Sequence, residues 1–262
     1  MNETVGHASD SSDPSDPSYS SDCSDFPDCS DFPDSPAITQ TRLTHATHRL
    51  ATDLLVDAVD RPSADPGRLA ELRDFLVTHL RHHHETEDAL LWPRIVAVAP
   101  ETEHLLHRLS QEHDRLDDAL DRLAAVDIPT GGQAAGTGTG PAGHGADQGR
   151  AGLRDDLRPV LREAAVAVRD SVRDHLAHEE PVLFPVLRDH ITAAEWEEFA
   201  HQVVTTTPPV AGHLMIGFLD EAGTPAEVRS MLADMPGPVQ DLLPAMRSRA
   251  AEDLRILRGA AS

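Results

Sequence analysis

Two short segments of the chain share a spacing of histidine and glutamate that could bind a metal ion. The first motif reads HHHETEDALLWP, and the second motif, further along the chain, reads HLAHEEPVLFP. In both, a histidine precedes a glutamate by four residues, as His83 precedes Glu87 and His175 precedes Glu179. On a helix, this spacing brings an imidazole and a carboxylate to one face, one turn apart. Imidazole and carboxylate together suit iron, manganese or zinc.

The repetition of the motif says more than either copy alone. In both copies, five residues separate the glutamate from a proline, and an aromatic residue stands directly before that proline, as Trp92-Pro93 and as Phe184-Pro185. Two copies, each within a helical pattern, predict the two halves of one site. Two open-sided clusters that face each other suit a centre with two metal ions.

Four long helices are predicted to position these two halves. Apolar residues recur at helical spacing over residues 38–60, 68–98, 101–126 and 153–190. The predicted fold class is therefore all-α, with an up-down four-helix bundle. Pro181 lies inside the fourth helical pattern, and it predicts a kink or a loosened turn just after Glu179.

The segments around the bundle differ from it in composition. Residues 1–37 are rich in Ser, Asp and Pro, which predicts a disordered acidic tail. The bundle is expected over residues 38–190, with a flexible Gly-rich loop at 129–152. Residues 191–262 are predicted to add short helices, interrupted at prolines, that pack on the bundle or on a partner.

Charge and composition exclude several classes of function. The formal net charge of -23 makes a role in binding nucleic acid or an anionic membrane unlikely. Apolar runs are too short for a transmembrane helix, and the N-terminus lacks the features of a signal peptide, so we expect a cytoplasmic protein. Cys23 and Cys29 lie in the tail, where they offer neither a disulfide framework nor a thiolate site. The oligomeric state stays open.

Each predicted bundle helix carries a ligand-type residue at a position that faces the core. A buried imidazole or carboxylate without a partner is costly, and a bound cation would remove that cost. Glu87 and Glu179 could each bridge two metal ions, with the histidines as terminal ligands. The predicted metal ligands are His48, His83, Glu87, His113, His175 and Glu179.

Two positions on the helices leave alternatives. On the first helix, either His45 or His48 could be the ligand, and His48 is favoured because Leu55 follows it by seven residues, as Leu120 follows His113. On the third helix, Asp117 stands four residues after that histidine and is a further candidate. Three histidines point away from the ligand face and are predicted to meet solvent or to hydrogen-bond to ligands from outside, namely His82, His84 and His178.

These residues resemble those of the hemerythrin-like (HHE cation-binding) proteins, of the bacterial type. The two motifs carry the resemblance, each with a second acidic residue directly after its glutamate, together with the step Gln111-Glu112-His113 on the third helix. The run Met231 to Pro236 also resembles tails of bacterial members. The resemblance covers about residues 40–190. It implies a non-haem di-iron centre, with two irons per chain and two bridging carboxylates, that binds O₂ or reacts with peroxide or NO. Zinc and manganese are alternatives.

One departure from the family's oxygen carriers changes the expected function. The carriers have two histidines four residues apart on the third helix, but here Leu109 stands four residues before His113. This departure disfavours reversible O₂ carriage and favours sensing, scavenging or iron handling. Whether the protein is an enzyme stays open. The alternatives are a metal- or gas-responsive regulatory module without turnover, and a structural helical bundle.

Overall fold

Helices are the regular elements of the computed structural model, which describes residues 34–129, 153–233 and 235–260. The all-α prediction is confirmed. The predicted tail lies outside the described residues up to residue 33, as does the predicted loop over 130–152. The elements are α1 (Pro36–Val59), α2 (Pro66–Thr86), a π-helical turn (Glu87–Leu91), α3 (Trp92–Val98), a 3-10 turn (Pro100–Thr102), α4 (Glu103–Ala124), α5 (Arg158–His190), α6 (Ala193–Thr206), α7 (Gly212–Ala222), α8 (Pro225–Leu232) and α9 (Gly237–Leu257).

Local sequence signals explain where the first two helices begin. The side chain of Ser35 caps α1 and that of Asp65 caps α2, each by accepting a hydrogen bond from the backbone N–H three residues later. Pro36 and Pro66 follow directly, at the one helical position where a missing N–H costs nothing. Both helices therefore start at positions that the chain itself defines.

Four helices, α1, α2, α4 and α5, form the bundle, which has a second, separate apolar cluster besides its large apolar core. Helices α1 and α4 each pack against both α2 and α5, so the two helices that carry the motifs stand at opposite corners. Burial of apolar side chains is the main source of stability in such a core. Its fully buried members include Leu55, Leu72, Phe75, Leu76, Leu116, Leu120 and Leu161.

The C-terminal helices form a layer on the bundle. Helix α7 packs against α1, and α9 packs against both α7 and α2. Phe218 of α7 inserts beside Phe75 of α2, with ring centroids 5.8 Å apart. Gly217 lets α7 and α9 approach closely, because a Cβ there would lie 2.7 Å from the Cβ of Ala250. Helix α9 is longer than the short helices expected, with 21 residues that run through Pro244.

The two motifs differ from the prediction in where the helix loosens. Helix α5 is α-helical through both Pro181 and Pro185, so the kink or loosened turn expected after Glu179 is wrong. The wider turn occurs instead in the first motif, where the N–H of Trp92 bonds to the carbonyl of Glu87. Pro93 directly follows Trp92, and it has no N–H with which to continue the α-helical hydrogen-bond pattern.

Candidate metal centre

Seven polar side chains from the four bundle helices converge inside the bundle. They form two adjacent groups, and within each group the candidate ligand atoms lie within 4.8 Å of one another. Group A consists of His45, His83, Glu87 and Glu179, and group B consists of His84, His113 and His175. Six of these residues are buried, and only His83 is partly open to solvent, with 15% of its side chain exposed.

The two glutamates lie between the groups. One carboxylate oxygen of Glu87 is 3.2 Å from Nε2 of His83, and the other is 3.5 Å from Nε2 of His113. Glu179 repeats this arrangement, with one oxygen 3.6 Å from Nε2 of His45 and the other 3.2 Å from Nε2 of His175. Each carboxylate therefore turns one oxygen to group A and the other to group B.

The geometry of helix α2 explains how it serves both groups. Successive residues of a helix are about 100° apart around its axis, and α2 lies between α1 and α4. His83 therefore points towards His45 of α1, with ring centroids 5.4 Å apart. His84 points towards α4, where its ring stacks on His113 at 4.4 Å. Glu87 lies between these two directions on the helix surface, which places its carboxylate in the middle.

Several of the convergent atoms have no hydrogen-bond partner among the described residues. They are Nε2 of His45, Nε2 of His83, Oε2 of Glu87 and both carboxylate oxygens of Glu179. Burial, together with the neighbouring carboxylate of Glu179, raises the pKa of Glu87 well above its usual value. Such a set is costly without a cation and favourable with one, because a cation would both satisfy the lone pairs and separate the negative charges.

The spacing of the histidine nitrogens also fits a cation. Nε2 of His113 and Nε2 of His175 are 3.2 Å apart. A histidine nitrogen binds a metal such as zinc at about 2.1 Å, so two nitrogens on one ion lie about 3 Å apart. The residues present therefore fit the kind of ion that the sequence predicted.

The structure brings five of the six predicted ligands into the two groups, namely His83, Glu87, His113, His175 and Glu179. Their role as metal ligands stays a prediction. The sixth, His48, lies outside both groups, although its ring centroid is 4.8 Å from that of His83. Burial, with the nearby His45, lowers the pKa of His48 to about 3. Group A contains His45 instead. The geometry therefore favours His45, whereas the leucine spacing favoured His48.

His84 is the group member that sequence reasoning missed. It was expected to point away from the ligand face, but it is 2% exposed and belongs to group B, so that expectation of its placement is wrong. The signal was available in part, because the chain has Leu109 four residues before His113 and so carries no second histidine at that position of α4. A histidine from α2 comes to this side of the site instead.

The other histidines predicted to lie off the ligand face are indeed outside both groups. His82 contacts the hydroxyl of Thr206 at 3.0 Å, and His178, with 59% of its side chain exposed, contacts Glu112. Asp117 is also outside both groups. None of these three residues is therefore a further candidate ligand.

A third polar cluster lies away from the bundle centre, where α2, α7 and α9 meet. It contains Glu71, His213 and Asp253, whose ligand-type atoms also come close together. Arginines neutralise its carboxylates, because Nη1 of Arg68 is 3.0 Å from both Glu71 and Asp253, and Arg249 pairs with Glu71. The cluster is an ion-pair network that holds the C-terminal layer on the bundle.

A comparison with known families agrees with this geometry. Residues 37–142 match the family model described as the hemerythrin HHE cation binding domain. The chain carries a hemerythrin-like domain. The resemblance drawn from the two motifs is therefore confirmed, while the bacterial type stays a prediction. No curated protein and no solved structure matches the chain.

The match ends before α5, so the second motif lies outside the matched residues of the hemerythrin-like domain. The fold supplies what the match does not cover, because it brings His175 and Glu179 against the histidines and the glutamate of the first motif. The family description and the two groups together indicate that the bundle binds a cation. Among the described residues, no helix has the length and apolar character needed to cross a membrane.

Proposed function

We propose that the bundle holds a di-iron centre, with one iron in each group and with Glu87 and Glu179 as bridging ligands. One observation carries this proposal: each of the two buried carboxylates turns one oxygen to group A and one to group B. His45 and His83 complete group A, and the three histidines of group B complete the other side. The mixture of imidazole and carboxylate ligands suits iron, zinc or manganese, and the resemblance to hemerythrin-like proteins favours iron among them.

The two groups are unequal, and the inequality supports a reaction with a small molecule. Group A has two histidines where group B has three. Group A also contains His83, the one partly exposed member. We infer that an exogenous ligand binds on the side of group A, where the protein supplies fewer nitrogens. A di-iron centre of this kind, when loaded, can bind O₂ or react with peroxide or NO.

The protein's own residues limit which molecules can reach the site. The other members of both groups are nearly inaccessible to solvent. Only a small ligand fits such a setting without unfolding of a helix. We therefore propose a role in sensing, scavenging or iron handling that involves a diatomic molecule or peroxide.

Metal analysis of the purified protein, together with its optical spectrum, tests this function. Protein from cells supplied with iron should contain two irons per chain, and its visible and near-ultraviolet spectrum should change between an anaerobic and an aerated sample. Stoichiometric zinc or manganese in place of iron would reject the di-iron assignment. The absence of any stoichiometric metal would reject the metal centre altogether.

A regulatory module without turnover is the second candidate, and one observation favours it. The C-terminal layer contacts the same helices that carry the group A histidines, because α7 packs on α1 and α9 packs on α2. His79, one turn before His83, also contacts the carbonyl of Val210 at 2.8 Å. Occupancy of the centre could therefore change how the layer docks. Steady consumption of peroxide by the iron form would favour scavenging over this alternative.

A further inference from the structure

Two histidines of the proposed centre contact a carboxylate through the ring nitrogen that faces away from it. Nδ1 of His113 is 2.9 Å from Oδ2 of Asp88, and Nδ1 of His45 is 3.0 Å from Oε1 of Glu180. In both pairs the carboxylate comes from a neighbouring helix of the bundle. The Nε2 atoms of the same histidines face the two groups.

The two contacts repeat each other in the two motifs. Asp88 directly follows one bridging glutamate, and Glu180 directly follows the other. The first motif holds the histidine of α4, and the second motif holds the histidine of α1. Each motif therefore supplies a carboxylate to the centre and a second carboxylate to the back of a histidine on the adjacent helix.

The aromatic residue of each motif contacts the same histidine that its second acid holds. Trp92 stacks on His113 and Phe184 stacks on His45, with ring centroids 6.2 Å apart in both cases. The interplanar angles are also similar, at 17° and 21°. One motif thus orients one imidazole by a hydrogen bond at its edge and by a ring against its face. This double contact explains why the aromatic residue recurs at the same position in both motifs.

A third histidine is held in the same way from another helix. Nδ1 of His175 is 3.2 Å from Oε2 of Glu112, and this glutamate directly precedes His113 in α4. The three carboxylates have additional partners that keep them in place. Ser110 donates a hydrogen bond to Asp88, and Arg49 donates one to Glu180 at 2.8 Å, while Glu112 also contacts His178.

The chemistry of imidazole gives these contacts a consequence. A neutral histidine carries one N–H, and a carboxylate can only accept. The carboxylate contacts at Nδ1, at 2.9 and 3.0 Å, are shorter than those at Nε2, at 3.5 and 3.6 Å, so the hydrogen belongs on Nδ1. The lone pair is then on Nε2, which is the atom that faces the group. A carboxylate at the outer nitrogen also makes the imidazole a stronger electron donor, and such partners often change metal affinity by about 10- to 100-fold when removed.

We propose that Asp88 and Glu180 are a matched pair of positioning residues for His113 and His45. Each fixes the tautomer and the orientation of its histidine, while Glu112 contacts the outer nitrogen of the histidine of α5. The proposal rests on the proposed function, because it concerns how these histidines present Nε2 to a metal. It assigns a role to the second acid of each motif, which is distinct from the bridging role of the first.

The tautomers can be measured without any metal. Long-range nitrogen–hydrogen NMR on the metal-free protein, at mildly alkaline pH, should show hydrogen on Nδ1 of both His45 and His113. Glu180→Ala should change the signals of His45 and leave those of His113, and Asp88→Ala should do the reverse. Hydrogen on Nε2 of both histidines in the unaltered protein would overturn the proposal, as would indifference of both signals to both substitutions.

Metal affinity then tests the consequence, with Fe(II) and Zn(II) as probes in competition with a chelator. Glu180→Ala should weaken binding by about 10- to 100-fold, and Glu180→Gln, which keeps an acceptor oxygen, should weaken it less. Asp53→Asn is the matched control, since Asp53 links α1 to α5 through Arg173 at 2.7 Å and not through a histidine. An equal loss in Asp53→Asn and Glu180→Gln would assign the effect to net charge and overturn the proposal.

The two experiments separate failure of this proposal from failure of the proposed function. If the unaltered protein binds neither probe, the metal centre is rejected, but the NMR experiment still shows whether the carboxylates set the tautomers. If the unaltered protein binds metal and the tautomers do not depend on Asp88 or Glu180, the positioning roles alone are rejected. Circular dichroism of each variant verifies that the helices remain folded.

Discussion

The two motifs begin with the same spacing and end in different backbones. After Glu87 the chain makes a π-helical turn, whereas after Glu179 it continues as a regular α-helix through two prolines. Both glutamates nevertheless face both groups. The difference teaches that the position of the bridging carboxylate depends on the helix before it, where both motifs are α-helical, and not on the backbone after it.

The motifs also differ in the residue that follows the first ligand. The first motif has His84 after His83, and the second has Leu176 after His175. Both residues are buried. The first motif thus adds the imidazole of His84 to group B, whereas the second adds the apolar side chain of Leu176 to the core. A nearly two-fold arrangement of helices thus surrounds two unequal positions. This inequality leaves group A with one histidine fewer than group B.

Removal of either bridging glutamate should have the largest effect. Glu87→Ala and Glu179→Ala should each abolish binding of both irons, because each carboxylate contacts both groups. The metal-free variants should still fold, since each substitution removes a buried carboxylate oxygen that lacks a hydrogen-bond partner. Iron content of the purified proteins measures the effect. Glu85→Ala, at an exposed position of α2, is the control and should keep its iron. Full iron in both bridging variants would reject the bridging assignment.

Substitution of the extra histidine should make the two motifs alike. His84→Leu should weaken metal binding in group B by at least about tenfold, because that group loses one of its three histidines. Group A should stay occupied. Stepwise metal titration, followed by absorption, measures the two positions separately. His82→Leu is the matched control, because His82 contacts Thr206 outside both groups. Unchanged binding in His84→Leu would mean that His84 only stacks on its neighbour.

Substitution of His48 tests whether His45 or His48 is the ligand on α1, through iron content and through stability in acid. His48→Leu should retain its iron, because His48 lies outside both groups. The pKa of His48 is lowered to about 3, so its contribution to stability is present above the ordinary histidine pKa of about 6.5 and is lost as the pH falls from there towards 3. The metal-free variant should therefore lose less stability in acid than the metal-free parent. Urea unfolding at several pH values measures this difference. Loss of iron in His48→Leu would restore His48 as the ligand.

The smallest expected effect concerns the C-terminal layer, which lies outside both motifs. Asp253→Asn should lower the free energy of unfolding by about 2 kcal/mol, because it weakens a buried network with His213 and Arg68, and should leave metal content unchanged. Asp220→Asn is the control, since Asp220 and Arg247 form a partly exposed pair worth less than about 1 kcal/mol. Loss of metal in Asp253→Asn would show that the layer and the centre are coupled.

Local spacing predicted most of the fold and much of the site, because both depend on helical periodicity. The four bundle helices lie close to their predicted ranges, and the His-x-x-x-Glu spacing identified both motifs. Spacing could not decide between His45 and His48, because both are buried on the side of α1 that faces the bundle. Only the direction of the neighbouring helices decides which of them meets His83 and Glu179.

Contacts between helices account for the remaining errors. His84 lies about 100° from His83 around the helix axis, and a single inward direction would exclude it. It is buried because α2 has a neighbour on each side, which the sequence of α2 does not reveal. The sequence did not reveal the π-helical turn for a related reason. Both motifs contain proline, but the backbone widens into a π-helical turn only in the first motif.

The origin of the ligands along the chain gives a bound cation a mechanical role. They range from His45 to Glu179, so an ion held by both groups would cross-link segments that are far apart in sequence. Unfolding would then require release of the ion, and the folded state would gain about 2.7 kcal/mol when free metal is at 100 times its dissociation constant. A chelator would therefore lower the stability of the folded chain by this amount, and the metal-free protein would keep its fold with a smaller margin.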